Sequence, residues 1–91
     1  MTTEEAFVKI LQIHGIENAF GIIGSAFMPI SDLFSKAGIT FWDVAHESNG
    51  GLVADGYTRA TGKIAMCIAQ NGPGITGLVT PIKTAYWNHT P

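Results

Sequence analysis

Glu47 stands between His46 and Ser48, where a stretch rich in β-branched and aromatic residues, Ile39–Val44, gives way to a helix-forming run that reaches Ala60. A carboxylate at such a junction has two uses. It can favour the positive end of the helix that follows, or it can face a ligand, because open α/β sheets bind ligands beyond the carboxyl ends of their strands. His46 likewise reads as a hydrogen-bonded histidine at the strand end. Further on, Gly72-Pro-Gly-Ile-Thr-Gly77 spells G-x-G-x-x-G between a strand-like and a helix-like segment, as a dinucleotide-binding turn would. Two features argue against that use: the motif follows the third strand rather than the first, and no Asp or Glu occurs after Asp55 to hold a ribose. A helix start with free amides near a bound polar group remains.

Other reactive side chains carry weaker patterns. His14, His46 and His89 are too widely spaced to suggest a three-histidine zinc site. Ser25, Ser31, Ser35 and Ser48 lack a paired base and a G-x-S-x-G elbow, which disfavours a serine hydrolase. The aromatic residues Phe41, Trp42, Tyr57, Tyr86 and Trp87 could line a pocket, but packing is their default use. Cys67 has no second cysteine to pair with and is expected to be buried in a strand. Asn88-His-Thr90 matches a glycosylation sequon, here without a secretory signal.

The elements that must position Glu47 can be read from spacing. Thr2 and Glu5 have capping-box spacing, and Phe7, Ile10, Leu11 and His14 recur at helical intervals before Gly15. Asn18–Ile23 reads as a strand, Pro29 opens a helix through Lys36, and Gly38 closes it. After Ile39–Val44, a third helix runs from Glu47 to Ala60. Ile64–Ala69 is a continuous apolar run, the pattern of a parallel strand covered on both faces. Helical spacing returns from Ile75 to Trp87, with Pro81 expected to kink or break it. This alternation predicts a three-layer α/β fold around a mostly parallel sheet.

Composition bounds the function. Five Lys and Arg against seven Asp and Glu, without charge runs, make nucleic acid an unexpected partner. The absence of an apolar run of roughly 18 residues and of a signal-like start argues against a membrane and for a cytoplasmic protein. A chain of 91 residues hides only about 60–65% of its unfolded surface. A three-stranded parallel sheet would also leave an open edge, so a truncated domain is expected.

Four segments in order then carry a resemblance: Phe20-Gly-Ile-Ile-Gly24, Ala45-His-Glu47, Ala54-Asp-Gly-Tyr-Thr-Arg-Ala-Thr-Gly62 and Asn71-Gly-Pro-Gly74. Together they resemble the pyrimidine-binding domain of thiamine-diphosphate enzymes of the acetolactate synthase group, over nearly the whole chain. The resemblance implies that Glu47 hydrogen-bonds the ring nitrogen of the cofactor's aminopyrimidine and favours its imino tautomer, which removes the thiazolium C2 proton. It also implies that Ile22, Ile23 and Gly24 lie along the pyrimidine, flanked by Gln70 and Pro73. Many relatives carry Pro at the position of Ile23 and Asn at that of Gly77, so the contacts implied there are those of the backbone.

The resemblance further implies that residues 1–91 are the N-terminal part of the pyrimidine domain, with central and diphosphate-binding domains elsewhere. Mg2+ would be held by a Gly-Asp-Gly…Asn motif, an oxygen-ligand site that this chain lacks. The active site would be shared between subunits of a homo-oligomer, and the 91 residues alone would be inactive. The wording of Phe41–Glu47, and of Ala69–Gly74 through Tyr86–Pro91, is similar to members that act on a small sulfonated aldehyde, transferring its two-carbon unit to phosphate and releasing sulfite. The alternatives are acetolactate synthase or a related 2-oxo acid decarboxylase, and a noncatalytic interaction domain. Arg59, Lys63 and Lys83 could anchor an anion or be surface charges, and none is assigned.

Overall fold

The computed structural model describes residues 2–24 and 27–91. Ser25 and Ala26, from the loop expected after the first strand, lie outside the described residues. The first helix, α1 (Thr3–Ile13), begins with a complete capping box: Thr2 Oγ1 accepts the Glu5 amide and Glu5 Oε1 accepts the Thr2 amide. The Thr2 backbone bond, followed by the Thr2 hydroxyl, holds the Glu5 carboxyl below its ordinary pKa. That cap is therefore present above the usual glutamate range and is lost as pH falls through Glu5's depressed value. Thr2→Ala should cost roughly 1 kcal/mol of stability, measured by urea unfolding; an unchanged midpoint would show that α1 is held by packing alone.

Three strands follow in a parallel sheet of order β2-β1-β3: β1 (Asn18–Gly21), β2 (Thr40–Asp43) and β3 (Met66–Ile68). Gly21 pairs with Asp43 on one side and Ile68 on the other. The carboxyl ends of all three strands thus lie side by side. The two outer layers are unequal. On one face Val8 of α1, Phe34 and Ile39 pack with Ala19 and Ile68 of the sheet. On the other lies α3 (Glu47–Thr61), packed on β1 and β3 and against α5 (Val79–Trp87). This is the expected three-layer α/β arrangement.

Local departures have local reasons. The helix expected over Pro29–Lys36 is instead a single turn, α2 (Met28–Ser31), followed by a 3-10 turn at Ser35–Ala37. Gly38 ends it in the left-handed region, with φ +75°. Leu33 and Phe34 are thereby turned to the core: their amides bond residues three back, Ile30 and Ser31, the tighter winding of a 3-10 helix. The strand expected over Ile64–Ala69 pairs only at Met66–Ile68. Cys67 is exposed, contrary to its expected burial. β3 is an edge strand in this sheet, and the helices on the Cys67 side leave an open cavity of about 100 Å³ beside it. Partial desolvation there pushes the Cys67 thiol pKa up.

The break near Pro81 also falls earlier than the proline. α4 (Pro73–Gly77) ends at Leu78, and Pro81 lies three residues inside α5. A proline gives no amide to the carbonyl four residues back and its ring crowds that carbonyl. The disturbance therefore centres on Gly77, and the helix divides there. The aromatic residues separate as well. Trp42 Nε1 donates to Asn18 Oδ1 at 2.9 Å and Asn18 Nδ2 donates to the Tyr57 hydroxyl at 3.0 Å, whereas Tyr86 and Trp87 are exposed.

Candidate functional site

Glu47 is the first residue of α3, and the residue is 8% exposed. The capping of that helix belongs to its neighbour: His46 Nδ1 accepts the Ser48 amide at 3.1 Å. Glu47 reaches instead across the carboxyl ends of the strands, where Oε2 accepts the Gln70 amide at 3.2 Å. Its other oxygen, Oε1, has no hydrogen-bond partner among the described residues and is left for a further donor. Oε1 is not among the buried atoms that lack a partner, so it faces solvent at the carboxyl ends of the strands.

Glycines make this approach possible. A Cβ on Gly74 would lie 2.5 Å from Glu47 Oε2, and one on Gly24 would overlap the Gln70 side chain. Gly50 sits against Gly21, and Gly51 against Pro81, so α3 lies close to both β1 and α5. Behind the site Gly21 meets the Ile68 backbone directly, and the Ile22 amide donates to the Ile68 carbonyl at 3.1 Å.

The six residues that the resemblance singled out lie just beyond the carboxyl ends of the three strands, in the loops and at the helix starts that follow them. Ile22, Ile23 and Gly24 follow β1, Glu47 follows β2, and Gln70 and Pro73 follow β3. Glu47 and Gln70 are in direct contact, and Gln70 lies over Gly24. Ile22 is half-buried, whereas Ile23 packs against the core beneath α1. Pro73 opens α4 and is exposed. The G-x-G-x-x-G segment has a different use from the dinucleotide turn. Its second glycine, which in that turn admits a pyrophosphate, here admits the carboxylate of Glu47.

The basic residues form other contacts. Arg59 pairs with Asp55 at 3.0 Å, Lys63 with Glu17 at 2.7 Å, and Lys83 lies 4.9 Å from the Trp87 ring centroid. Among the described residues no group of three or more His, Cys, Asp or Glu side chains could hold a metal ion. No helix there is long and apolar enough to cross a membrane. Residue-by-residue reading of the sequence missed Gly74 as a partner of Glu47, although the glycine motif contained it. It also missed Ser48, whose hydroxyl donates to the Gly77 carbonyl at 2.5 Å. A serine one position from Glu47 carries no spacing signal of its own.

The chain is thus a parallel α/β unit with a buried glutamate at the head of the helix after its second strand. The chain belongs to the family described as "Thiamine pyrophosphate enzyme, N-terminal TPP binding domain", whose profile matches residues 1–91. Within it, the chain is 79% identical over its whole length to sulfoacetaldehyde acetyltransferase of Roseovarius nubinhibens and 75% identical to that of Rhodobacter capsulatus. It is 40% identical, over 94% of its length, to acetolactate synthase of Arthrospira platensis. The chain spans about 15% of the length of the sulfoacetaldehyde acetyltransferases it matches.

Proposed function

We propose that Glu47 hydrogen-bonds the aminopyrimidine ring of thiamine diphosphate, and that the protein uses this contact to convert sulfoacetaldehyde and phosphate to acetyl phosphate and sulfite. The observation that carries the first half is the buried Glu47 carboxylate, held through Oε2 by the Gln70 amide with Oε1 left as an acceptor. Such a carboxylate fits a protonated ring nitrogen, and its two oxygens then have one donor each. The Gln70 amide fixes the carboxylate's direction, and Gly74 leaves room for it. When bound, thiamine diphosphate supplies a nucleophilic carbon and an electron sink. Ile22 and Gly24, with Gln70 and Pro73, would line the pyrimidine; Ile23, whose partly buried side chain packs against the core, would contribute its backbone.

The substrate assignment rests on the identities of 79% and 75% to sulfoacetaldehyde acetyltransferases, against 40% to an acetolactate synthase. In this reading residues 1–91 serve as the N-terminal part of the pyrimidine domain, and Mg2+ and the diphosphate are held by another domain of a longer cytoplasmic chain. The active site is shared between subunits of a homo-oligomer. In the reaction the carbon–sulfur bond breaks, sulfite leaves, and the acetyl unit passes to phosphate. Purified full-length protein given sulfoacetaldehyde and phosphate should release sulfite and acetyl phosphate in equal amounts. Turnover of pyruvate without sulfite release would replace this reading with acetolactate synthase chemistry.

Gly74→Ala separates the site from the fold. An alanine Cβ there would lie 2.5 Å from Glu47 Oε2, the end of a side chain that can move, and 3.3 Å from the Ala69 backbone. The variant should stay folded and bind thiamine diphosphate about tenfold more weakly, a loss of ~1.4 kcal/mol, as followed by fluorescence titration. Unaltered affinity would mean that the carboxylate's position is immaterial to binding.

A further inference from the structure

We propose that Ser48 is a positioning residue for Glu47, and that its hydroxyl does so by capturing the carbonyl that Pro81 leaves open. This deepens the assignment of Glu47 and rests on it. In an unbroken helix the Gly77 carbonyl would accept the amide of residue 81. Residue 81 is proline and has no amide to give. The Ser48 hydroxyl occupies that place at 2.5 Å. Pro81 is itself fully buried and faces Gly51 of α3, where a Cβ would approach within 2.4 Å of the proline ring. The same proline therefore frees the carbonyl and seats α5 against the helix that supplies the serine.

The geometry ties this bond to the carboxylate. Glu47 and Ser48 are successive residues at the start of α3, while Gly74 and Gly77 lie three apart on α4 and share a face. Glu47 meets the first of these glycines and Ser48 bonds the second. Gly77 is also close to the His46 ring, 3.1 Å from where its Cβ would be. The Ser48 bond thus ties α3 to α4 directly, beside the packing of Glu47 on Gly74 and of the His46 ring on Gly77. Without the serine bond, the Gly77 carbonyl loses its partner and only packing holds α4 in register with Glu47.

The test uses the full-length protein with Ser48→Thr and Ser48→Val, a pair of nearly equal shape that differs in the hydroxyl. The first readout is the C2 proton exchange rate of bound thiamine diphosphate at saturation. The second is amide hydrogen exchange over residues 74–82 in protein free of cofactor. Thr should match the unsubstituted protein within about twofold; Val should exchange the C2 proton about tenfold more slowly and take up deuterium faster over 74–82. Equal behaviour of Thr and Val would overturn the proposal. So would a Val variant that fails to fold while Thr folds, because the hydroxyl would then be a general stabiliser. Glu47→Gln is measured in parallel. If it exchanges like the unsubstituted protein, the Glu47 assignment fails and the Ser48 role with it; if it is slow while Thr and Val agree, only the Ser48 role fails.

Discussion

Glu47→Gln is expected to slow C2 proton exchange of bound thiamine diphosphate by roughly 10²- to 10³-fold, within the range of a lost acid–base contact. Glutamine is the informative substitution because it keeps the shape and one carbonyl oxygen. That oxygen can still accept the Gln70 amide, which Glu47 Oε2 accepts at 3.2 Å. What disappears is the carboxylate's ability to take or share a proton with the cofactor ring. Glu47→Ala would confuse the result, since it would also leave the Gln70 amide without its acceptor at a cost of about 1–3 kcal/mol. The exchange is followed by NMR on cofactor released after acid quenching in deuterated buffer. Exchange at the unsubstituted rate, with thiamine diphosphate bound, would remove Glu47 from the chemistry.

The second large effect concerns Gly21, where β1 ends. A Cβ there would lie 1.9 Å from the Ile68 carbonyl oxygen and 2.7 Å from its carbon, and φ is +153°, a conformation that side-chain-bearing residues rarely adopt. The obstructing atoms are backbone, so no rotamer change can relieve the overlap. Gly21→Ala must separate β1 from β3, and it should lower stability by about 3 kcal/mol or more. The same movement would carry Ile22–Gly24 away from Gln70. Cofactor affinity should therefore fall together with the denaturant midpoint. A midpoint unchanged within error would show that the two strands do not need this contact.

Much of the order of elements was legible in the residues. The capping box at Thr2 and Glu5, the helix beginning at Glu47 and the glycines at 38 and 62 that end helical segments all act through near neighbours. Such signals need only a few residues of context, and they survive in any environment that does not oppose them. Pro81 was legible as a disturbance, but its effect was displaced to Gly77, because a proline acts on the carbonyl four residues back. The Cys67 expectation failed for a related reason. An apolar run shows that a strand is suited to burial, but not whether neighbouring segments cover it.

The site divides in the same way. Sequence alone placed Ile22 and Ile23 at the end of a strand, Glu47 at the start of a helix and Pro73 in a turn, and the family resemblance grouped them with Gly24 and Gln70 around a cofactor. For Glu47 by itself, the residues left two uses open, a helix-end carboxylate or a ligand-facing one. Tertiary structure decided where the carboxylate points: His46 caps α3, and Glu47 crosses to the Gln70 amide. It also decided that Gly74 makes room for Glu47 and that Ser48 bonds Gly77. Those contacts join residues 23 to 29 positions apart, which only the parallel strands of the sheet bring side by side. Helix starts and stops are local in the chain and so were written in it; the surroundings of a buried carboxylate are set by whichever distant backbone packs against it.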